Sequence, residues 1–147
     1  MILLFTILIG TAHAENVHEV VRNAAVKYGI EPELYHAIIA QESNYKVDAV
    51  NKKSKDYGLA QINARTAKAY NFSIERLLKD ARYNAEAGAK VLHDLKKSYS
   101  KREPLTWVCR YNVGSGPMVH AKAKKCIKYI NRIMKHYKGD VYVALKN

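Results

Sequence analysis

Glu42 closes an apolar helical stripe. Tyr35, Ile38, Ile39 and Glu42 recur at i, i+3, i+4 and i+7 behind Pro32, a residue suited to the first position of a helix, so one carboxyl group sits on an otherwise inward face. A carboxyl in apolar surroundings keeps its proton toward neutral pH, which is what an acid needs in order to protonate the leaving oxygen of a glycosidic bond. Taken alone, the same placement also fits a structural carboxylate bonded to a neighbouring loop. The stretch from Ser43 to Asp56 is polar, with Asn44, Asp48, Asn51, Ser54 and Asp56 supplying loop chemistry before Gly58. It reads as a loop over a cleft with room for short strands, so Glu42 faces both core and cleft.

The elements that must position this carboxyl follow from hydrophobic spacing. Val17, Val20, Val21, Ala24, Ala25 and Tyr28 predict a helix that stops at Gly29, and the Pro32 helix comes next. Past Gly58 the pattern predicts a short helix over Ala64 to Tyr70, a stretch at Ile74 to Leu78, and a longer helix near Ala81 to Tyr99. Ala85, Gly88, Val91, Leu92, Leu95 and Tyr99 share one side of that helix. Pro104 opens a segment with Leu105 and Val108 inward, which Tyr111 to Pro117 is expected to break. A last helix is expected from about Met118 to Tyr137, with Cys126, Ile130, Ile133, Met134 and Tyr137 inward and its lysines outward. The chain of 147 residues has no tandem repeat and no low-complexity segment, so it is expected to form one mainly α domain of short helices around a cleft.

Met1 to Ala14 carries no charged side chain, and its apolar run from Ile2 to Ile9 is followed by Ala12-His13-Ala14, an A-x-A pattern. This reads as a secretory signal peptide cleaved after Ala14, although no Lys or Arg precedes the run. The run is shorter than the roughly 20 apolar residues of a membrane span. An oxidising compartment would pair the two cysteines, Cys109 and Cys126. A metal site would need ligand spacing, and neither H-E-x-x-H nor C-x-x-C occurs. Lys and Arg outnumber Asp and Glu by 25 to 13, which invites anionic partners. Export favours the cell envelope over nucleic acid, even though the eleven tyrosines and the basic residues have the composition of a stacking groove.

Three ordered motifs carry a more specific signal. Glu42-Ser43-Asn44 is followed by Asp48-Ala49-Val50-Asn51 and by Ser54-Lys55-Asp56-Tyr57-Gly58-Leu59-Ala60-Gln61-Ile62-Asn63, and then by Arg110-Tyr111-Asn112-Val113-Gly114-Ser115-Gly116. In order and spacing they resemble the soluble lytic transglycosylase catalytic domain from about Glu19 to Tyr137, and look closest to the small transglycosylases of conjugation, type IV secretion and related envelope machines. The resemblance implies a lysozyme-like fold around a glycan-binding cleft, with residues 15 to 147 as the catalytic domain. It implies that Glu42 is the catalytic acid and base and that Ser43 fixes its helix end and belongs with the substrate-binding residues. Gln61 is implied to line the sugar cleft, and Tyr111 with Asn112 to support the glutamate and the bound saccharide. Ser54 or Asn51 is implied to bond the substrate acetamido group. Ala60 departs from the bulkier residue often found in the family, which suggests a roomier subsite.

The implied chemistry needs no metal or organic cofactor. Its substrate is the bond between N-acetylmuramic acid and N-acetylglucosamine in peptidoglycan, cleaved without water to a 1,6-anhydro end, in the periplasm or cell envelope. Rivals are a lysozyme-type hydrolase, for which Asp48 or Asp56 would supply a second carboxylate, and a non-catalytic wall-binding assembly protein.

Overall fold

The computed structural model describes residues 16–104 and 106–139, so the leader-like stretch over 1–14 and Leu105 lie outside it. Helix α1 (Val17–Lys27) starts where the Asn16 side chain accepts from the His18 amide, and α2 (Pro32–Ser43) starts at Pro32 as the sequence predicts. The Glu31 carboxylate caps α2 by accepting from the backbone amides of Glu33 and Leu34, satisfying donors that have no partner inside the helix. Asn44 ends α2 in the left-handed region at φ 50°, a conformation that asparagine tolerates better than most residues. The loop beyond holds a small antiparallel sheet of β1 (Val50–Asn51), β2 (Asp56–Tyr57) and β3 (Ile62–Asn63), in that order. Val50 pairs with Tyr57, and Tyr57 in turn with Ile62.

Helices α3 (Ala64–Tyr70) and α5 (Ala81–Tyr99) have their expected limits, and the stretch between them, left without an element type in the sequence, forms α4 (Ile74–Lys79). A 3₁₀ turn (Trp107–Cys109) then leads directly into α6 (Arg110–Val113), and α7 (His120–Met134) closes the described chain. Two expectations change here. Tyr111 and Asn112 are helical, and the break falls at Gly114, where φ is 71°. The last helix begins later than expected, because Gly116 also has positive φ and Pro117 has no amide proton to donate. Val119 remains extended, and regular helix resumes at His120.

The core lies where α1, α2 and α5 meet. Val21, Ala25, Tyr35, Ile38, Ile39, Ala85, Ala89 and Leu92 are fully buried there, and Trp107 and Ile133 seal it from the C-terminal side. Two glycines set how closely the site's walls approach this core. A Cβ on Gly58, whose φ is 73°, would lie 2.0 Å from the Asn84 side-chain amide and 2.2 Å from the Leu77 carbonyl. A Cβ on Gly88 of α5 would lie 2.5 Å from both the Tyr35 hydroxyl and the Ala60 side chain. Asn84, fully buried, crosslinks the loop to the helices by donating to the Tyr57 and Leu77 carbonyls and accepting from the Ala60 amide.

Cys109 and Cys126 form a disulfide across 17 residues, tying the 3₁₀ turn before α6 to the middle of α7. Replacing both cysteines with serine is expected to lower unfolding stability by about 3 kcal/mol, on the chain-entropy account of a loop of this size. Urea denaturation of the oxidised protein and the double variant measures this. A difference under about 1 kcal/mol would show that the crosslink restrains little of the unfolded chain.

Candidate active site

Glu42 is the next-to-last residue of α2 and stands at the meeting point of core and loop. Its neighbours on the inner face, Tyr35, Ile38 and Ile39, are fully buried, so little water reaches its carboxyl from behind. The Tyr129 hydroxyl of α7 donates to Glu42 Oε1 at 2.5 Å, joining residues 87 apart in sequence. Burial pushes the Glu42 carboxyl up to about 7, and the negative charge of Asp56 adds to this. The Tyr129 bond and the Arg132 guanidinium act in the opposite direction. Burial and the adjacent Glu42 hold the Tyr129 hydroxyl well above its usual range, so it remains a neutral donor.

Glu42 opens onto a cavity of about 1040 Å³ with mostly polar walls. Asn51, Ser54, Asp56 and Gln61 line it from the sheet and its loops, and Tyr111, Asn112 and Ser115 line it from α6 and the turn beyond. Tyr111 donates from its hydroxyl to the Ala60 carbonyl at 2.7 Å, which fixes its ring against the wall. Gln61 stands at φ 48°, and its amide nitrogen donates to the carbonyls of Gly58 at 2.9 Å and Ala49 at 3.2 Å. Asn112 is exposed on the wall. Ser54 and Asn51 both line the cavity, so the geometry keeps both as candidates for the acetamido group. The Ser54 hydroxyl donates to Asp56 Oδ2, and Asn63 donates to Asp56 Oδ1 at 2.8 Å.

Three expectations are revised by this geometry. Ser43 does not line the cavity; its hydroxyl turns back toward the Ile39 carbonyl, 3.4 Å away in its own helix. Ala60 is fully buried and faces Gly88, so its small side chain allows the loop to pack on α5 and does not widen the subsite. Asp56, read as a turn residue, belongs to β2 and lines the same cavity as Glu42, whereas Asp48 is exposed and does not line it.

Two residues in the site's framework escaped the sequence reading. Tyr129 lies three residues after Cys126 and four before Ile133, so it falls on the inward stripe of α7. That spacing was the available signal. Arg110, only 3% exposed, is paired with Glu103 and lies 4.4 Å from the Tyr99 ring centroid. It also donates to the Gly116 carbonyl at 2.7 Å, holding the turn that borders the cavity. Among the described residues no group of three or more His, Cys, Asp or Glu side chains is placed to hold a metal ion.

A mostly helical frame around a polar cleft, with one protonatable carboxyl at its base, defines a glycan-cleaving enzyme of the lysozyme-like class. The family model of the transglycosylase SLT domain matches residues 19–128, and the chain belongs to that family. It is 31% identical over 122 residues to Protein IpgF of Shigella flexneri, covering 78% of this chain and 76% of that one. It is 33% identical over 119 residues to Invasion protein IagB of Salmonella typhi, covering 76% and 70%. Membrane-bound lytic murein transglycosylase C of Photorhabdus laumondii is 31% identical over 144 residues, of which the match spans 85% of this chain but 39% of the relative. Among solved structures, an inactive mutant of lytic transglycosylase Slt from Pseudomonas aeruginosa superposes with a TM-score of 0.57 at 16% identity, covering 87% of this chain and 22% of that one. That likeness establishes the shared fold.

The opposing influences on Glu42 can be separated by carbon NMR titration of its carboxyl. Tyr129→Phe removes a bond that favours the carboxylate, so the midpoint should rise above that of the wild type near 7. Asp56→Asn removes a repelling charge and should lower it. A Tyr129→Phe midpoint below the wild-type value would contradict the role assigned to that hydroxyl.

Proposed function

We propose that this enzyme cleaves peptidoglycan glycan strands as a lytic transglycosylase, with Glu42 acting first as the acid and then as the base. The observation that carries this reading is a largely enclosed carboxyl, pushed up to about 7 by burial, at the base of a cavity large enough for a sugar chain. Protonated Glu42 donates to the oxygen bridging N-acetylmuramic acid and N-acetylglucosamine, and the C1–O bond breaks. The substrate's own acetamido carbonyl stabilises the electron-poor C1. Glu42, now a carboxylate, takes the proton from the muramoyl C6 hydroxyl as that oxygen attacks C1, closing a 1,6-anhydro ring and restoring the acid. In this reading the saccharide lies against Gln61, Tyr111 and Asn112, and Ser54 or Asn51 bonds its acetamido group; all five line the cavity. The family membership supports this assignment of roles, as does similarity to a relative named a lytic murein transglycosylase.

Export to the periplasm or envelope, as a monomer, suits such a substrate, and no helix among the described residues is long and apolar enough to cross a membrane. Similarity to an invasion protein supports service to a secretion, conjugation or related envelope-spanning machine that must pass the wall.

Glu42→Gln keeps the shape of the side chain but cannot cycle a proton, so turnover of purified sacculi should fall by at least about a hundredfold. The same substitution should stabilise the fold. A folded-state value of about 7, above the 4.5 of an ordinary glutamate, means that stability is lost as pH rises between the two, and the full cost is present above 7. The melting temperature of Glu42→Gln should therefore exceed that of the wild type by more at pH 8 than at pH 4. A folded variant with near-normal turnover would remove Glu42 from the mechanism.

The product separates the two chemistries that share this cleft. Hydrolysis uses two carboxyl groups, about 5 Å apart for retention and roughly 6.5 to 9.5 Å apart for inversion. Asp56 is engaged by Ser54 and Asn63 and is assigned an electrostatic role. Muropeptides released from sacculi should therefore end in 1,6-anhydro-N-acetylmuramic acid, one water lighter than hydrolytic products by mass spectrometry. Predominantly reducing ends, with Asp56→Asn as inactive as Glu42→Gln, would assign a lysozyme-type hydrolase instead.

A further inference from the structure

The cavity walls carry two cations that catalysis at Glu42 does not use. Arg65 lines the cavity from the first turn of α3, and Lys122 lines it from the first turn of α7. The Arg65 backbone amide caps α3 through the Asn63 side chain, but its guanidinium has no partner among the described residues. Lys122 donates one of its three ammonium protons to the Ser115 carbonyl at 2.7 Å. The two acids on the wall do not pair with these cations. Asp56 is held by Ser54 and Asn63, Glu42 by Tyr129, and neither carboxyl forms an ion pair with Arg65 or Lys122 among the described residues.

Two cations facing a polar cavity call for an anion on the ligand. A peptidoglycan strand has neutral sugar rings, and carboxylates enter only through the substituent on muramic acid. With a stem peptide attached, the anions are the peptide's carboxylates. On a strand stripped of peptide, the anion is the lactyl carboxylate itself. We infer that Arg65 and Lys122 form a subsite for the carboxylate on the muramoyl substituent, so the cleft reads what the sugar carries as well as the sugar. Each cation can meet a carboxylate from its own wall, the guanidinium through a planar pair of donors and the ammonium through the protons it does not give to Ser115. This inference rests on the glycan-cleaving role given to the cleft.

The test uses three strand preparations: peptide-bearing, stripped with the lactyl carboxylate free, and stripped with that carboxylate converted to a neutral methylamide. The readout is the kcat/KM ratio of each acidic strand to the neutral one, for the wild type, Arg65→Gln, Lys122→Gln and Arg65→Lys. The wild type should prefer one acidic strand, and the preferred strand identifies the source of the carboxylate. Arg65→Gln should lose about tenfold of that preference, mainly through KM, as expected when a charged hydrogen bond is removed. Lys122→Gln should lose a smaller part, and Arg65→Lys, which keeps the charge, should recover part of the arginine effect. Binding of the same strands to Glu42→Gln, followed calorimetrically with and without Arg65→Gln, gives the subsite's contribution without turnover. Equal ratios in all four proteins, or equal binding of acidic and neutral strands, would overturn the subsite while leaving the glycan-cleaving role intact. A wild type that binds the acidic strands selectively but cuts none of the three would overturn that role and leave the subsite standing.

Discussion

The hydrogen bond from Tyr129 to Glu42 is the contact on which the rest of the site depends. It joins α2 to α7 across the cleft's base and couples the geometry of the acid to its protonation. Glu42 stands in the last turn of α2, where backbone carbonyls already present negative potential, so an unsupported carboxylate there is disfavoured by the helix as well as by burial. A fully buried tyrosine that donates to one oxygen brings the carboxyl back toward neutrality while leaving it able to exchange a proton. Without this contact Glu42 would keep its proton more firmly, and nothing else described would hold its oxygen in a fixed direction.

Fixing Tyr129 relative to Glu42 is therefore the task of the surrounding framework, and polar hubs do much of it. The disulfide holds Cys126 of α7, one turn before Tyr129, to Cys109, two residues before Tyr111. The Arg110 pair with Glu103, buried on its arginine side, anchors the turn after α6. Asn84 ties three backbone groups from the loop and α4 to α5. The Arg110 pair and the Asn84 hub are costly to desolvate and strongly destabilising when one partner is removed, so they specify a single arrangement more than they add net stability, whereas the disulfide stabilises outright. The glycines at 58 and 88 serve the same end by allowing backbone and tyrosine hydroxyls to approach closer than any Cβ would permit.

Much of this arrangement was legible in the sequence because it is periodic. Helices α1, α2, α3 and α5 followed from apolar spacing, caps and the Pro32 start, and the apolar residues of the Glu42 stripe are buried as their spacing implied. What was not legible depends on contacts between distant segments. Tyr111 and Asn112 were read into a break because Gly114 to Pro117 dominates local propensity, yet the preceding 3₁₀ turn carries the helix through Val113 before the glycine stops it. Ala60 was assigned to the cleft by motif position, whereas its direction is set by Gly88, 28 residues later. Ser43 shows the same limit on a smaller scale, since a serine near a helix end bonds its own helix as readily as a ligand. Asp56 acquired its place beside the acid only when the sheet register paired it with Asn51 and Asn63.

The distribution of rigidity across the cleft follows from what each part must do. Glu42 and Tyr129 come from helices anchored in the packed core, and in the proposed mechanism small displacements there would spoil proton transfer. Asn51 at the end of β1, Ser54 in the turn after it, Asn112 on α6 and Arg65 in the first turn of α3 are exposed, so their side chains are freer to adjust than those of the core. A buried acid whose charged form the fold disfavours lowers stability at neutral pH, and that cost is tolerable only if neighbouring structure cannot relax to solvate it. The disulfide, the Arg110 anchor and the Asn84 hub all lie close to the segments that would have to move. Their position explains how a small domain can keep a carboxyl poised near neutrality without letting water in behind it.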